Sequence, residues 1–271
     1  MTTFSKSASA KFVASALVVL SLAACGGGGG GGGDGGGNGG GNGAGIEISA
    51  SGTVARGAVL VGAVIDLNCA NGAKLTGVTN GNGSYTTAKT PITYPCIGTA
   101  VATTGLTYRG ILFSASFANF TPLTEMLVEA MLAASASGSA TLTVDQFLTR
   151  IRSDSTFAAN VSSTTSVAGY RKAVLDVVRQ QLIASGLTAA EADGILAAAG
   201  NFDSASFAAG SPLDKVLDNT AFVLQNADGS VKAAILALAK AAGDLLPTPG
   251  SGGTGGTGGT GGTGGTGGTG G

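Results

Sequence analysis

Apolar positions change their period once along the chain. From Ile46 to Phe113 they come in short runs rich in β-branched residues, separated by Gly, Asn and Pro. Ile46, Ile48 and Val54 sit among Ser, Thr and Ala, and runs follow at 59–67, 74–79, 84–87, 99–104 and 106–113. Regularly spaced runs of this kind predict short strands. Asn80-Gly81-Asn82-Gly83 lies between two of them and offers the positive φ angles of a tight hairpin turn.

From Phe120 the period becomes helical. Thr121 is a cap, Pro122 suits a first helical position, and Leu123, Met126, Leu127, Ala130 and Met131 fall on one face. Thr143-x-x-Gln146 and Thr188-x-x-Glu191 have the form of capping boxes. A longer helix is predicted from about Ser166 to Gly186, with Tyr170, Val174, Val177, Val178 and Leu182 inward. Ser211-Pro212 opens another, and Ser230 opens the last, which Pro247 stops. Five or six helices with short connections predict a bundle. The expected fold class is α+β: a β-sandwich over 46–118, then a helical bundle over 119–247.

Both ends read differently. Lys6 and Lys11 precede an apolar run, Phe12 to Ala24, which is too short to span a bilayer comfortably and suits a signal segment. The run ends Leu22-Ala23-Ala24-Cys25, which resembles the lipobox of bacterial lipoproteins. That resemblance implies a signal peptide over 1–24, a diacylglyceryl thioether on Cys25, and a fatty acyl chain such as palmitate on the new amine. It also implies a membrane attachment. Gly26 stands where an Asp would favour inner-membrane retention, so the outer membrane of a Gram-negative bacterium is expected. Residues 25–45 are then a Gly-rich tether with a reach of roughly 25 Å. Residues 248–271, a Gly-Gly-Thr repeat, are expected to be a disordered, low-complexity tail.

Three segments resemble the carboxypeptidase regulatory-like, transthyretin-like domains: Ser51-Gly52-Thr53-Val54, Val61-Gly62-Ala63-Val64-Ile65-Asp66-Leu67, and Thr79-Asn80-Gly81-Asn82-Gly83-Ser84-Tyr85. Asn80 stands where Asp is usual, and the family's closing Gly-Tyr segment is not evident. The resemblance implies an immunoglobulin-like sandwich and, despite the family's name, no peptidase activity. Phe120-Thr121-Pro122-Leu123-Thr124-Glu125 is similar to the helix start that follows such domains in betaproteobacterial lipoproteins.

Composition narrows the chemistry. The chain has no His, so the commonest general base and metal ligand are missing. The net charge of −1 gives no electrostatic case for nucleic acid. The Gly-rich stretch has no following Gly-Lys-Ser/Thr, hence no P-loop. Cys69 and Cys96 form an even pair; in an oxidising envelope they read as a disulfide, with two buried thiols or a redox or metal pair as the alternatives. Glu125 and Glu129 could share a proton or a cation, but they leave the apolar stripe and are expected on a solvated face. Arg171, Lys172 and Arg179, near Asp176, read as a polar outer face, as do Asp214, Lys215 and Asp218. The Asn80–Ser84 loop lacks the carboxylates of a calcium site. The alanine-rich stretches 189–209 and 232–242 are expected to pack within the bundle. The sequence thus predicts no cofactor, no metal and no catalytic residue. It predicts a non-enzymatic envelope lipoprotein that binds a protein or glycan. A glycan- or peptidoglycan-active hydrolase with a site between the domains is the first alternative, and a hydrophobic-ligand carrier the second.

Overall fold

The computed structural model describes residues 46–114, 116–136 and 141–249. The expected signal segment with Cys25, the expected tether and most of the Gly-Gly-Thr repeat therefore lie outside the described residues. Among the described residues eight strands precede seven helices, an α+β order. The strands are β1 (Ile46–Ile48), β2 (Ser51–Thr53), β3 (Val64–Cys69), β4 (Lys74–Val78), β5 (Ser84–Thr86), β6 (Thr90–Ile92), β7 (Cys96–Val101) and β8 (Thr107–Leu112). An antiparallel sheet runs β4-β3-β7-β8, while β2 pairs with β5 and β1 with β6.

Period-2 alternation sets the faces. On β3, Ile65, Leu67 and Cys69 are buried, and Val64, Asp66 and Asn68 face outward. The inner face continues through Leu75, Ala100, Tyr108 and Leu112. It also carries Gly77 and Gly110, and large rings fill the space they leave. A Cβ on Gly77 would lie 3.5 Å from the Tyr85 ring, and one on Gly110 would lie 2.8 Å from Phe120. Tyr85 and Phe120 pack with ring centroids 5.8 Å apart, and the Tyr85 hydroxyl donates to the Ala118 carbonyl at 2.7 Å. The β2–β5 pair thus sits over the inner face of the four-stranded sheet.

Cys69 closes β3, Cys96 opens β7, and the two are register partners joined by a disulfide. The Asn80 turn forms as expected: the Asn80 side chain accepts from the N–H groups of Asn82 and Ser84, and Gly83 takes φ +70°. The strands on either side do not form a hairpin, because β4 pairs with β3 and β5 with β2. The run at 59–67 becomes strand only from Val64, since Gly62 turns the chain at φ +72°. β6 escapes the pattern because it is short and contains Pro91, which an edge strand tolerates.

The helices are α1 (Pro122–Ala134), α2 (Val144–Ser153), α3 (Ser155–Val161), α4 (Thr164–Ala184), α5 (Ala189–Leu196), α6 (Pro212–Leu224) and α7 (Ala233–Asp244). Thr121, Thr143, Thr188 and Ser211 cap as their sequences predict. α3, capped by Asp154, is too short for a periodic signal. The last helix does not start at Ser230: Val231 bridges Gln225, which keeps the chain extended until Lys232. α1 packs against β8, α4 and α7, and eleven of its thirteen residues are buried. It is a central helix rather than an amphipathic surface one.

Sheet and helices share one continuous apolar core. Asn119, fully buried, joins them: its Oδ1 accepts from the Thr53 N–H at 3.0 Å, and its Nδ2 donates to the Phe202 and Ala205 carbonyls. Tyr108 on β8 donates to the Gly229 carbonyl. The boundary expected near residue 118 therefore crosses a packed, hydrogen-bonded junction.

Candidate recognition surfaces

The charged residues singled out in the sequence are mostly braces. Glu125 and Glu129 do not form a solvated face. Both grip Arg109 of β8, whose Nε donates to Glu125 Oε1 at 2.7 Å and whose Nη2 donates to Glu129 Oε2 at 2.8 Å. Burial alone would lower the Arg109 pKa, but the two carboxylates outweigh it and hold the guanidinium above its ordinary value. Arg171, Lys172 and Arg179 do not act together. Arg171 makes a two-pronged bond to Asp203, which is 2% exposed, and also donates to Asn201 and Ser204. Lys172 pairs with Asp176, and Arg179 with Asp193. Asp214 is buried and accepts from the Gly210 N–H, whereas Lys215 and Asp218 are exposed on α6.

The two edges of the four-stranded sheet differ. At β8 the outward-pointing N–H of Arg109 donates to Glu125 Oε2, and its carbonyl accepts from Thr124 Oγ1. α1 thereby seals that edge. At β4 the bonded pairs to β3 include Cys69 N–H to Ala73 O and Thr79 N–H to Ala63 O. Alternation then leaves the N–H and C=O groups of Lys74, Thr76 and Val78 pointing away from β3. No strand pairs with that side among the described residues. Beside it, Val78, Val64 and Val101 are register partners in one row on the outer face, 59%, 54% and 40% exposed.

A second feature lies where the loop after β2 meets the end of α6. Arg56, Asp218, Phe222, Gln225 and Asn226 line a cup of about 430 Å³. Arg56 Nη1 donates to the Asp228 carbonyl at 3.0 Å, and Gln225 Nε2 donates to the Arg56 carbonyl at 2.9 Å. The Asp228 carboxyl sits below its usual range because the Ser230 hydroxyl and N–H both donate to it. This cup was missed in the sequence. Its one signal was Phe222, an aromatic on the polar side of α6 at i+4 from Asp218. A shallow, larger cleft of about 570 Å³ runs between α5 and α6, past Leu187, Ile195 and Val216.

Among the described residues no cluster of three or more His, Cys, Asp or Glu could hold a metal ion, and no helix is long and apolar enough to cross a membrane. No protein-family model, curated protein or solved structure matches the chain.

Proposed function

We propose that the chain is a lipid-anchored module of the bacterial envelope that works by recognition rather than catalysis. Cys25 carries the lipid, the Gly-rich segment acts as tether, and the outer membrane of a Gram-negative cell is the location. The apolar run ending Leu22-Ala23-Ala24-Cys25 supports this address. The sandwich is of the carboxypeptidase regulatory-like, immunoglobulin-like kind. That reading draws on the three sequence segments and on the placement of the β2–β5 pair over the larger sheet. The helices after residue 118 serve as a bundle that buttresses it.

The observation that carries the recognition reading is the asymmetry of the sheet edges. One edge is sealed by α1, and the other is left open beside a row of exposed valines. An open edge recruits an extended peptide as an added strand. The partner is an extended segment of an envelope protein, with an apolar residue opposite Val78 and an acidic one opposite Lys74. A hydrolase draws less support: a glycosidase pairs two carboxyl groups across the scissile bond, whereas one carboxylate, Asp218, lines the cup. A carrier of apolar ligands encloses its cargo, whereas the clefts described above open to solvent.

Replacing Thr76 by Pro tests the edge. Its N–H faces away from β3, so an edge proline leaves the β3 pairing intact while blocking strand addition. The anchored protein, extracted in mild detergent, is expected to retain a discrete envelope partner that Thr76→Pro releases. Retention of the same partner by the variant, or no partner with either protein, would contradict the proposal.

A further inference from the structure

The cup between the loop after β2 and the end of α6 shares no residue with the β4 edge, and strand addition does not use it. Two glycines shape it. Gly57 has φ +118°, and a Cβ there would lie 2.7 Å from Asp218 Oδ1. Gly229 has φ +91°, and a Cβ there would lie 2.7 Å from the Arg56 side chain. Any other residue at either position would strain the backbone and displace a polar side chain of the cup. The polar groups are also held in place. The Arg56 guanidinium is pinned by the Asp228 carbonyl while keeping further donors, and Gln225 is pinned through its amide nitrogen, leaving Oε1 to accept. Asp218 is exposed on α6 one turn before Phe222, which is itself 57% exposed.

We infer that this cup is a binding site for a neutral, hydroxyl-rich pyranose oligosaccharide. Charge argues against an anion, since the lining pairs one cation, Arg56, with one carboxylate, Asp218, and the Asp228 carboxylate lies within the field of Arg56. Planar side chains with paired donors and acceptors, as in Arg56, Asp218, Gln225 and Asn226, match the spacing of neighbouring ring hydroxyls. Phe222 supplies the flat apolar surface for the C–H face of a sugar ring. The volume of about 430 Å³ falls in the range of small-ligand sites. Pre-orientation of Arg56 and Gln225 lowers the ordering cost of binding. The site holds the saccharide without cleaving it, because hydrolysis needs two carboxyl groups flanking the glycosidic bond and one, Asp218, lines the cup.

Calorimetric titration of the intact, detergent-solubilised protein tests the inference, with maltotetraose, cellotetraose and tetraacetylchitotetraose as probes. At least one probe is expected to bind, about tenfold or more weaker with Phe222→Ala. Phe222→Tyr is expected to keep the affinity, because it keeps the ring. Phe222 is exposed, so unchanged thermal unfolding would show that Phe222→Ala remains folded. Failure of all three probes to bind would overturn the inference, as would binding indifferent to Phe222→Ala. Neither result touches the β4 edge, whose test reads a protein partner.

Discussion

Gly243 sets helix propensity against packing at a single atom. It lies in α7, buried against α1, and a Cβ there would sit 2.1 Å from the Ala130 carbonyl oxygen. Propensity alone would favour Ala over Gly in a helix by about 1 kcal/mol. Real Cβ atoms do not approach within 3.0 Å of another heavy atom, so α7 would have to withdraw from α1 by about 1 Å. Such a gap forfeits a quarter to a half of each contact along the α1–α7 interface, and overpacking of this kind costs about 1–3 kcal/mol. We therefore expect Gly243→Ala to destabilise by about 2 kcal/mol net, seen as a Tm lower by about 4–8 °C for a folded part of this size. Gly194, in α5, is the control, since nothing lies within 4 Å of its missing Cβ. Gly194→Ala should raise stability by up to about 1 kcal/mol. Equilibrium urea unfolding of the two variants decides it. A Gly243→Ala protein as stable as the parent would refute the packing argument.

Three further outcomes follow from the same structure. Arg171→Met should cost about 3 kcal/mol, because it strands the buried Asp203 carboxylate, while Lys172→Met, which removes an exposed pair one residue later, should cost under about 0.5 kcal/mol; denaturant midpoints of the two variants check the contrast. Replacing Cys69 and Cys96 together by Ser should cost about 3–4 kcal/mol on the chain-entropy account, given their sequence separation of 27; thermal unfolding with and without reductant measures it. Glu191 is held below its usual range by the Thr188 N–H and hydroxyl. Its capping contribution is therefore complete above the ordinary Glu pKa and lost as pH falls through the lowered folded value. Glu191→Gln should flatten that acid-side fall in a Tm-against-pH series.

What was legible in the sequence was local. Caps at Thr121, Thr143, Thr188 and Ser211 depend on residues within one turn, so spacing alone reveals them. The Cys69–Cys96 bond was legible because no other partner remained for either once Cys25 was assigned to lipid. Glu125 and Glu129 were misread because an i, i+4 acidic pair off the apolar stripe usually faces water. Their partner, Arg109, lies on a strand sixteen residues before Glu125, and nothing in the helical pattern points to it. Arg171 and Asp203 are separated by 32 positions, and the cup joins a loop at Arg56–Ala58 to residues beyond 217. Such pairings arise only once the sheet and helices pack. The crossing of the chain between β4 and β5 was hidden for a related reason. A turn sequence fixes the bend and leaves open which strand each arm will pair with.

The address of the protein can be tested most directly by intact mass spectrometry of the chain extracted from the membranes of a bacterial host. The expected mass begins at Cys25 and is increased by its acyl chains. A lipid-free species, whether it begins at Met1 or after Ala24, would contradict it.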